Sequence, residues 1–358
     1  MNKDSMPQIT VLIATFNSSK LLPKTLDALV AQTYPRNRME ILAVDGGSSD
    51  DTISIAMKYG CKIINNPMTE PVNAKMLGIQ NAKGKYLMVL DHDEVLTNPN
   101  SVKNRIELLE KYSECKVAFC SGYKRPDDYP LLNEYISEFG DPFSLFVYNF
   151  SKGVVFFEKG LRRICRIVDE DAKHLLVSFK ETKRIPIFEL CCLATIVDLE
   201  WFKANCNIGT SSQDMVHMFY IMLSMGYTEA IITKNDPLVH YSADSLKAYY
   251  PKLKWRIKNN IHFADKGENG FTGRQKYTGY SKYKKFLFIP YTVFIPACLS
   301  HGIYMAISRN NPVFLLHPYF CWYVLFNIII EYWKKMMNKS PDFTSYDGKK
   351  VIGKDRIS

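Results

Sequence analysis

Residues 84–96 read GKYLMVLDHDEVL. Tyr86 to Leu90 are five apolar residues with no polar alternation, the pattern of a strand buried on both faces inside an α/β sheet. The run stops abruptly at Asp91-His92-Asp93-Glu94. Charges are expelled from a buried strand, so the acidic cluster is expected just past its carboxyl end, where ligands bind in open α/β sheets. Two carboxylates one residue apart can point the same way and share a hard cation. The plainer alternative is an acidic loop that caps the next helix.

The flanking sequence repeats the same alternation. QITVLIATFN (8–17) reads as a strand, and SKLLPKTLDALVAQTY (19–34) sets Leu22, Leu26, Leu29 and Val30 at helical spacing. MEILAVDGGSSDDT (39–52) is a second strand running into a Gly/Ser turn, with Asp50 and Asp51 available to cap the helix TISIAMKYG (52–60). CKIIN (61–65) is a short third strand, and PVNAKMLGIQNA (71–82) is a helix. Strands and helices at such short spacing predict a three-layer α/β/α domain with a mainly parallel sheet.

These four ordered segments, VLIATFNSSKLLPKTLDALVAQTY, EILAVDGGSSDDT, NAKMLGIQNAKGKYLMVL and DHDEVL, resemble the nucleotide-sugar-binding half of the family-2 glycosyltransferases, which have the GT-A fold. The resemblance covers about residues 8–97, with weaker correspondence to about 240. No Walker or G-x-G-x-x-G pattern competes with it. It implies a nucleotide diphosphate-sugar donor, UDP- or GDP-linked, and Mg²⁺ or Mn²⁺ as cofactor.

By that resemblance Asp45 would hold the nucleotide base, and Ala14 and Phe16 would pack on it, with Asn17 equally suited to a turn. The residues alone leave Asp45 a second role, bonding the turn amides after it. Lys75 would lie near the diphosphate, or be an ordinary solvated helix lysine. Asp91 and Asp93 would hold the metal, with Asp91 also reaching the donor; Glu94 would support them and His92 would contribute backbone. His240, in PLVHYSADSLKAYY, would approach the metal or diphosphate, or simply pack at the membrane-proximal edge. GTSSQDMVHMFYIMLSMGY resembles the family's acidic motif that opens a helix, but Gln213-Asp214 stands where Glu-Asp is usual. That departure leaves Asp214 as the expected general base of an inverting transfer.

Charge is unevenly spread. Residues 1–240 hold 27 Lys and Arg against 29 Asp and Glu, whereas residues 241–285 hold 11 against 3. A nucleic-acid-binding chain would carry its positive charge on the folded domain, so no nucleic-acid partner is expected. Here the charge adjoins two apolar stretches, the uncharged 22 residues Phe286–Ile307 and the 18 residues Val313–Ile330. Flanking Lys282, Lys284, Lys285, Lys334 and Lys335 favour a hairpin with both ends cytoplasmic. Pro290, Pro296, Pro318, His301 and His317 suit a kinked, dipping hairpin as well as a spanning one. SLKAYYPKLKWRIKNNIHF (245–263) reads as an interfacial segment, with Pro251 arguing against one unbroken helix. Nine cysteines without a C-x-x-C pair point to buried free thiols in a reducing compartment, and the N-terminus lacks a signal-peptide pattern.

The expected organisation is therefore a GT-A-type domain over 1–240 (8–97 donor half, 98–240 acceptor side), a basic segment over 241–285, a transmembrane or re-entrant hairpin over 286–331, and a basic tail over 332–358. The expected activity is inverting transfer of a sugar to a polyprenyl-linked or surface-glycan acceptor, with a polyprenyl-phosphate or lipid-linked glycan as the expected partner, at the cell membrane with the catalytic domain cytoplasmic. The rival expectations are a processive polysaccharide synthase, for which no Gln-X-X-Arg-Trp motif is present, and an inactive membrane scaffold.

Overall fold

The structure, a computed structural model, describes residues 6–190, 192–206, 212–262 and 279–339. Strands β1 (Ile9–Thr15), β2 (Met39–Asp45), β3 (Lys62–Asn65) and β4 (Tyr86–Asp91) run parallel in the order β3-β2-β1-β4. Consecutive residues Val11, Leu12 and Ile13 are all fully buried, as are Leu87, Met88 and Leu90. Both faces of these strands are therefore covered, as their unbroken apolar runs require. The connecting helices are α1 (Leu22–Val30), α2 (Thr52–Lys58) and α3 (Pro71–Asn81), with α3 packed on β1 and β2. Gly78 lets α3 approach closely: a Cβ there would come within 2.1 Å of Leu12 Cδ1.

Beyond β4 the chain adds β5 (Glu94–Leu96), α4 (Ser101–Lys111), β6 (Val117–Phe119), β7 (Tyr123–Lys124), α5 (Leu132–Phe139), α6 (Pro142–Tyr148) and α7 (Val154–Ile164). Strands β8 (Arg166–Glu170), β9 (His174–Ser178) and β10 (Ile196–Asp198), helices α8 (Leu199–Asn205) and α9 (Ser212–Ser224), and strands β11 (Glu229–Thr233) and β12 (Leu238–His240) follow. The main sheet continues β4-β10-β6-β11-β9-β8 with mixed directions, so its strictly parallel part is the first four strands. A small second sheet, β5-β12-β7, sets His240 opposite Glu94 and Leu238 opposite Tyr123.

Three features of the C-terminal region bear on the expected organisation. Helix α10 (Leu246–His262) is continuous through Pro251. Proline removes one N–H and crowds the turn before it, but packing along the last helix holds this one together. The first apolar stretch is not one helix. After α11 (Gly279–Lys284), helix α12 (Phe288–Val293) meets α13 (Ile295–Arg309) at a 94° bend across Phe294, with Pro296 opening α13. Only the segment ending in α14 (His317–Met336), residues Pro312–Met336, is a single helical stretch long and apolar enough to cross a membrane, among the described residues and by length and composition alone.

Third, residue 240 is not a packing boundary. A second core joins Tyr135, Ile136 and Phe139 of α5 to Tyr249, Leu253 and Ile257 of α10 and to Phe288, Met305, Phe314 and Phe320. The apolar helices are thus built into the folded body on one side.

Candidate active site

The parallel register brings the strand ends to one edge. Thr15 pairs with Asp45, Asp45 with Asn65, and Ala14 with both Val44 and Asp91. The loops after β1 and β2 are laced together: Asn17 N–H donates to Ser48 Oγ (2.8 Å), Ser49 N–H to Asn17 Oδ1 (2.9 Å) and Ser18 N–H to Thr52 Oγ1 (2.7 Å). Asn17 has φ +47°, a left-handed turn that asparagine tolerates. Phe16 borders the same edge, its ring 3.4 Å from where a Gly46 Cβ would stand.

Asp45 is buried and its carboxylate is already used. It accepts from Gly47 N–H (3.0 Å), Ser48 N–H (2.7 Å), Ser48 Oγ (2.5 Å) and Thr15 Oγ1 (3.0 Å). Of its two possible roles, this arrangement realises the turn-forming one; a base would have to compete with four donors. Asp50 takes the capping role, accepting from Thr52 N–H (3.1 Å) and from Ser19 N–H (3.1 Å). Its slight burial works against the charge, but the bonds from Thr52 and Ser19 win and hold the carboxyl at about 2. Asp51 occupies the N-cap position without a side-chain bond.

Lys75 is not a solvated lysine. It is buried on α3, and its Nζ lies 3.0 Å from Asp91 Oδ1 at the end of β4. Asp91 N–H donates to Glu94 Oε2 (3.0 Å), and Tyr123 OH donates to Glu94 Oε1 (2.6 Å). Glu94 is almost wholly buried; that burial, then the charges of Asp91 and Asp93, pushes its carboxyl up to about 8 against the Tyr123 and Asp91 hydrogen bonds. His92 contributes its carbonyl, which accepts from Thr25 Oγ1 (2.8 Å).

His240 stands beside Asp93, Nε2 to Oδ2 3.8 Å. Its ring stacks on Tyr123 at 4.6 Å, and its Nδ1 shares a hydrogen bond with Ser137 Oγ of α5 (3.1 Å). Burial disfavours the imidazolium, so His240 is held below the usual histidine range. Burial also opposes the Asp93 carboxylate, yet His240, His92 and Lys252 around it keep that carboxyl below the ordinary value. Tyr123 and Ser137 were not legible as site residues, because nothing local marks a tyrosine on a two-residue strand or a serine inside an amphipathic helix.

The structure thus gathers Ala14, Phe16, Asp45, Lys75, Asp91, Asp93 and His240 along one edge. It does not assemble Asp91, Asp93 and His240 into a ready-made metal cage: among the described residues no group of three His, Cys, Asp or Glu side chains is arranged to hold an ion. Lys75 engages Asp91 and His240 faces Asp93 instead. Asp214 falls in the first turn of α9, which packs against α3, but its side chain lies outside the described residues. Next to the site, Tyr123, Ser137, Glu134, Glu138, Gly153 and Val154 line an open cavity of about 280 Å³.

Residues 10–161 match the family described as glycosyl transferase family 2. An uncharacterised glycosyltransferase of Rickettsia prowazekii (strain Madrid E) is 34% identical over 126 residues, covering 34% of this chain and 38% of the relative. Glycosyltransferase AglE of Haloferax volcanii is 32% identical over 95 residues, covering 25% and 31%. The match therefore spans under two-fifths of either relative's length. In three dimensions the chain resembles a mannosyltransferase from Pyrobaculum calidifontis, solved in complex with GDP-Man and Mn²⁺, with a TM-score of 0.53 over 94% of this chain and 89% of that one, at 14% identity. At that identity the likeness speaks for the fold alone, which is GT-A. The family match takes in Asp45, Lys75, Asp91 and Asp93 and stops before Asp214 and His240.

Proposed function

We infer, from a family-2 glycosyltransferase segment set in a GT-A fold, that this chain is a metal-dependent inverting glycosyltransferase. Its donor would be a UDP- or GDP-linked sugar, and its acceptor a polyprenyl-phosphate or lipid-linked glycan at the cytoplasmic face of the cell membrane. The observation that carries the reading is the edge where β1, β2 and β4 end together, with Asp91 and Asp93 at the mouth of a buried strand and Lys75 3.0 Å from Asp91.

The residues at this edge suit a hard divalent ion. Two carboxylates supply oxygen ligands, and a diphosphate would supply others, as is usual for Mg²⁺ and Mn²⁺. Ser137 Oγ can donate to Asn133 Oδ1 (3.3 Å), which leaves its lone pairs for a proton on His240 Nδ1. In that tautomer Nε2, 3.8 Å from Asp93 Oδ2, would turn a lone pair toward the Asp93 carboxylate, an arrangement that favours a cation nearby. Bound there, Mg²⁺ or Mn²⁺ would offset charge on the departing diphosphate.

The chain's own residues do the rest. Lys75 brings a buried positive charge to the donor side of the edge. Glu94 and Tyr123 fix the backbone of Asp91 and the plane of His240. Asp214 takes the proton of the acceptor hydroxyl as that oxygen bonds to the anomeric carbon from the far side. The bond from that carbon to the phosphate oxygen breaks, and the nucleoside diphosphate leaves with the electron pair.

An inactive scaffold is the second reading, favoured by Gln213 in place of an acid and by the fully engaged Asp45. Thermal stability with UDP or GDP, each with and without Mn²⁺, separates the two. A metal-dependent rise with one nucleotide, lost in Asp91→Ala/Asp93→Ala, supports the enzyme. Loss of turnover in Asp214→Asn with nucleotide binding intact assigns the base. No shift with either nucleotide in folded protein leaves the scaffold.

A further inference from the structure

We propose that the C-terminal helices seat the protein in a single leaflet of an anionic bilayer and do not cross it, so that the hairpin tip stays on the same face as the catalytic edge. This rests on the membrane attachment proposed above and adds its topology.

The tip decides the matter. Arg309 ends α13, and its Nη2 lies 2.8 Å from Glu138 Oε2, with Nε 3.0 Å from both carboxylate oxygens; both side chains are buried. Asn311 Nδ2 donates to Glu134 Oε2 (2.7 Å) and to the Leu131 carbonyl (3.2 Å). Glu134 and Glu138 belong to α5, whose Ser137 bonds His240 at the catalytic edge. The two ends of the hairpin are fastened to the same body. Lys284 Nζ donates to the Val147 carbonyl of α6 (3.0 Å), and Lys335 Nζ to the Ile261 carbonyl of α10 (3.0 Å). In a hairpin that crosses twice, the tip would lie a full bilayer away from both ends. Here tip and ends hold neighbouring helices of one folded unit.

Two further observations agree. Helix α13 is 15 residues, about 22 Å long, short of the ~30 Å hydrocarbon layer, and the 94° bend before it prevents α12 from extending it. Helix α14 lies along α10 from Tyr250···Tyr319 (2.9 Å) to His262···Glu331 (2.9 Å), and α10 carries Lys252, Lys254, Arg256 and Lys258 between those points. A crossing α14 would draw that basic helix into hydrocarbon.

The outward face of the hairpin is nonetheless apolar. In α13, Cys298, Gly302 and Met305 face the core while Ile295, Ile303 and Ile307 are exposed. In α14, Phe320, Val324 and Leu325 are buried while Trp322, Phe326 and Ile329 are exposed. A helix docked on a water-soluble body would expose polar residues there. Partly exposed Lys285 and Lys334 and exposed Lys282 and Lys339 flank this face, the charge that suits anionic headgroups. The occupant is therefore a lipid leaflet.

The test uses the full chain expressed in a bacterial host, with Ser308→Cys reporting the tip and Glu114→Cys reporting the catalytic body. Inverted vesicles and intact spheroplasts are treated with a membrane-impermeant maleimide, and labelling is read by mass on the peptide that carries each position, which keeps native cysteines out of the signal; those among the described residues are buried or half-buried. Labelling of both positions in inverted vesicles, and of neither in spheroplasts, is the expected result. Labelling at 308 only in spheroplasts, or protection there from both sides, overturns the single-leaflet seat while leaving membrane attachment intact. Recovery of the chain in the soluble fraction as a dimer that does not float with phosphatidylcholine vesicles containing about 30% phosphatidylglycerol makes the apolar face a self-interface, and overturns both.

Discussion

Lys75 Nζ lies 3.0 Å from Asp91 Oδ1, although α3 and β4 meet only through the fold. The lysine is nearly buried and the aspartate is partly open, so the pair presents a carboxylate outward with a cation behind it. In the proposed function Asp91 would meet a metal and Lys75 a diphosphate, and neither charge would be left alone when the partner is engaged.

Replacing the cation should separate those two functions. Lys75→Met frees Asp91 from its competitor and removes positive charge from the diphosphate side. Mn²⁺ alone should then bind more tightly, while UDP or GDP should bind about tenfold more weakly, ~1.4 kcal/mol. Calorimetric titration of metal and nucleotide separately checks this; a parallel change in both affinities would mean that Lys75 is merely structural.

Asp50 gives an acid-side dependence. Its folded carboxyl sits at about 2 against an ordinary value of 3.8, so its contribution to stability is present above about 4 and disappears as pH falls from there toward 2. Because the group is exposed, the effect should be small. Urea midpoints measured from pH 6 to pH 2 should fall less steeply in Asp50→Asn than in the parent. Identical slopes would remove the lacing of the two loops as a source of stability.

Gly84 lies two residues before the strand that ends in Asp91. A Cβ there would come within 2.5 Å of Thr10 N and 2.7 Å of the Tyr86 carbonyl oxygen, both backbone atoms that cannot swing aside. Gly84→Ala should cost at least the ~1–3 kcal/mol of ordinary overpacking and lower nucleotide binding with it. Denaturant unfolding measures the loss; a change below half of the lower figure would show that β1 and β4 can shift apart.

The buried pair Glu138–Arg309 joins the hairpin tip to α5. Removing one partner leaves a buried charge, so Arg309→Met alone should destabilise by about 3–5 kcal/mol. The double variant Glu138→Gln/Arg309→Met should recover much of that loss. A thermal-unfolding cycle in detergent reads the coupling, and simple additivity would place the tip off α5.

Much of this was legible in the chain itself. The strands β1, β2 and β4 announce themselves because a strand buried on both faces admits only apolar residues, and the site aspartates follow because charge must leave such a strand at its end. Glycine, serine and aspartate after β2 marked a turn for the same local reason. What the sequence left open were choices between two uses of one residue. Asp45 could serve a base or its own turn; Gly47 and Ser48 are donors from that turn, and the register of β1 with β2 brings Thr15 as the fourth that saturates it. Lys75 could lie near a diphosphate or be a solvated helix lysine, and the packing of α3 on β1, which buries it beside Asp91, removes the second. Tyr123 and Ser137 gave no local sign, since they reach His240 through a three-stranded sheet and a helix distant in sequence. The apolar C-terminal stretches gave their composition but not their path. Hydropathy reports what a segment can be buried in, whereas Arg309 and Asn311 meeting α5 depends on contacts across some 170 residues, which only the folded chain creates.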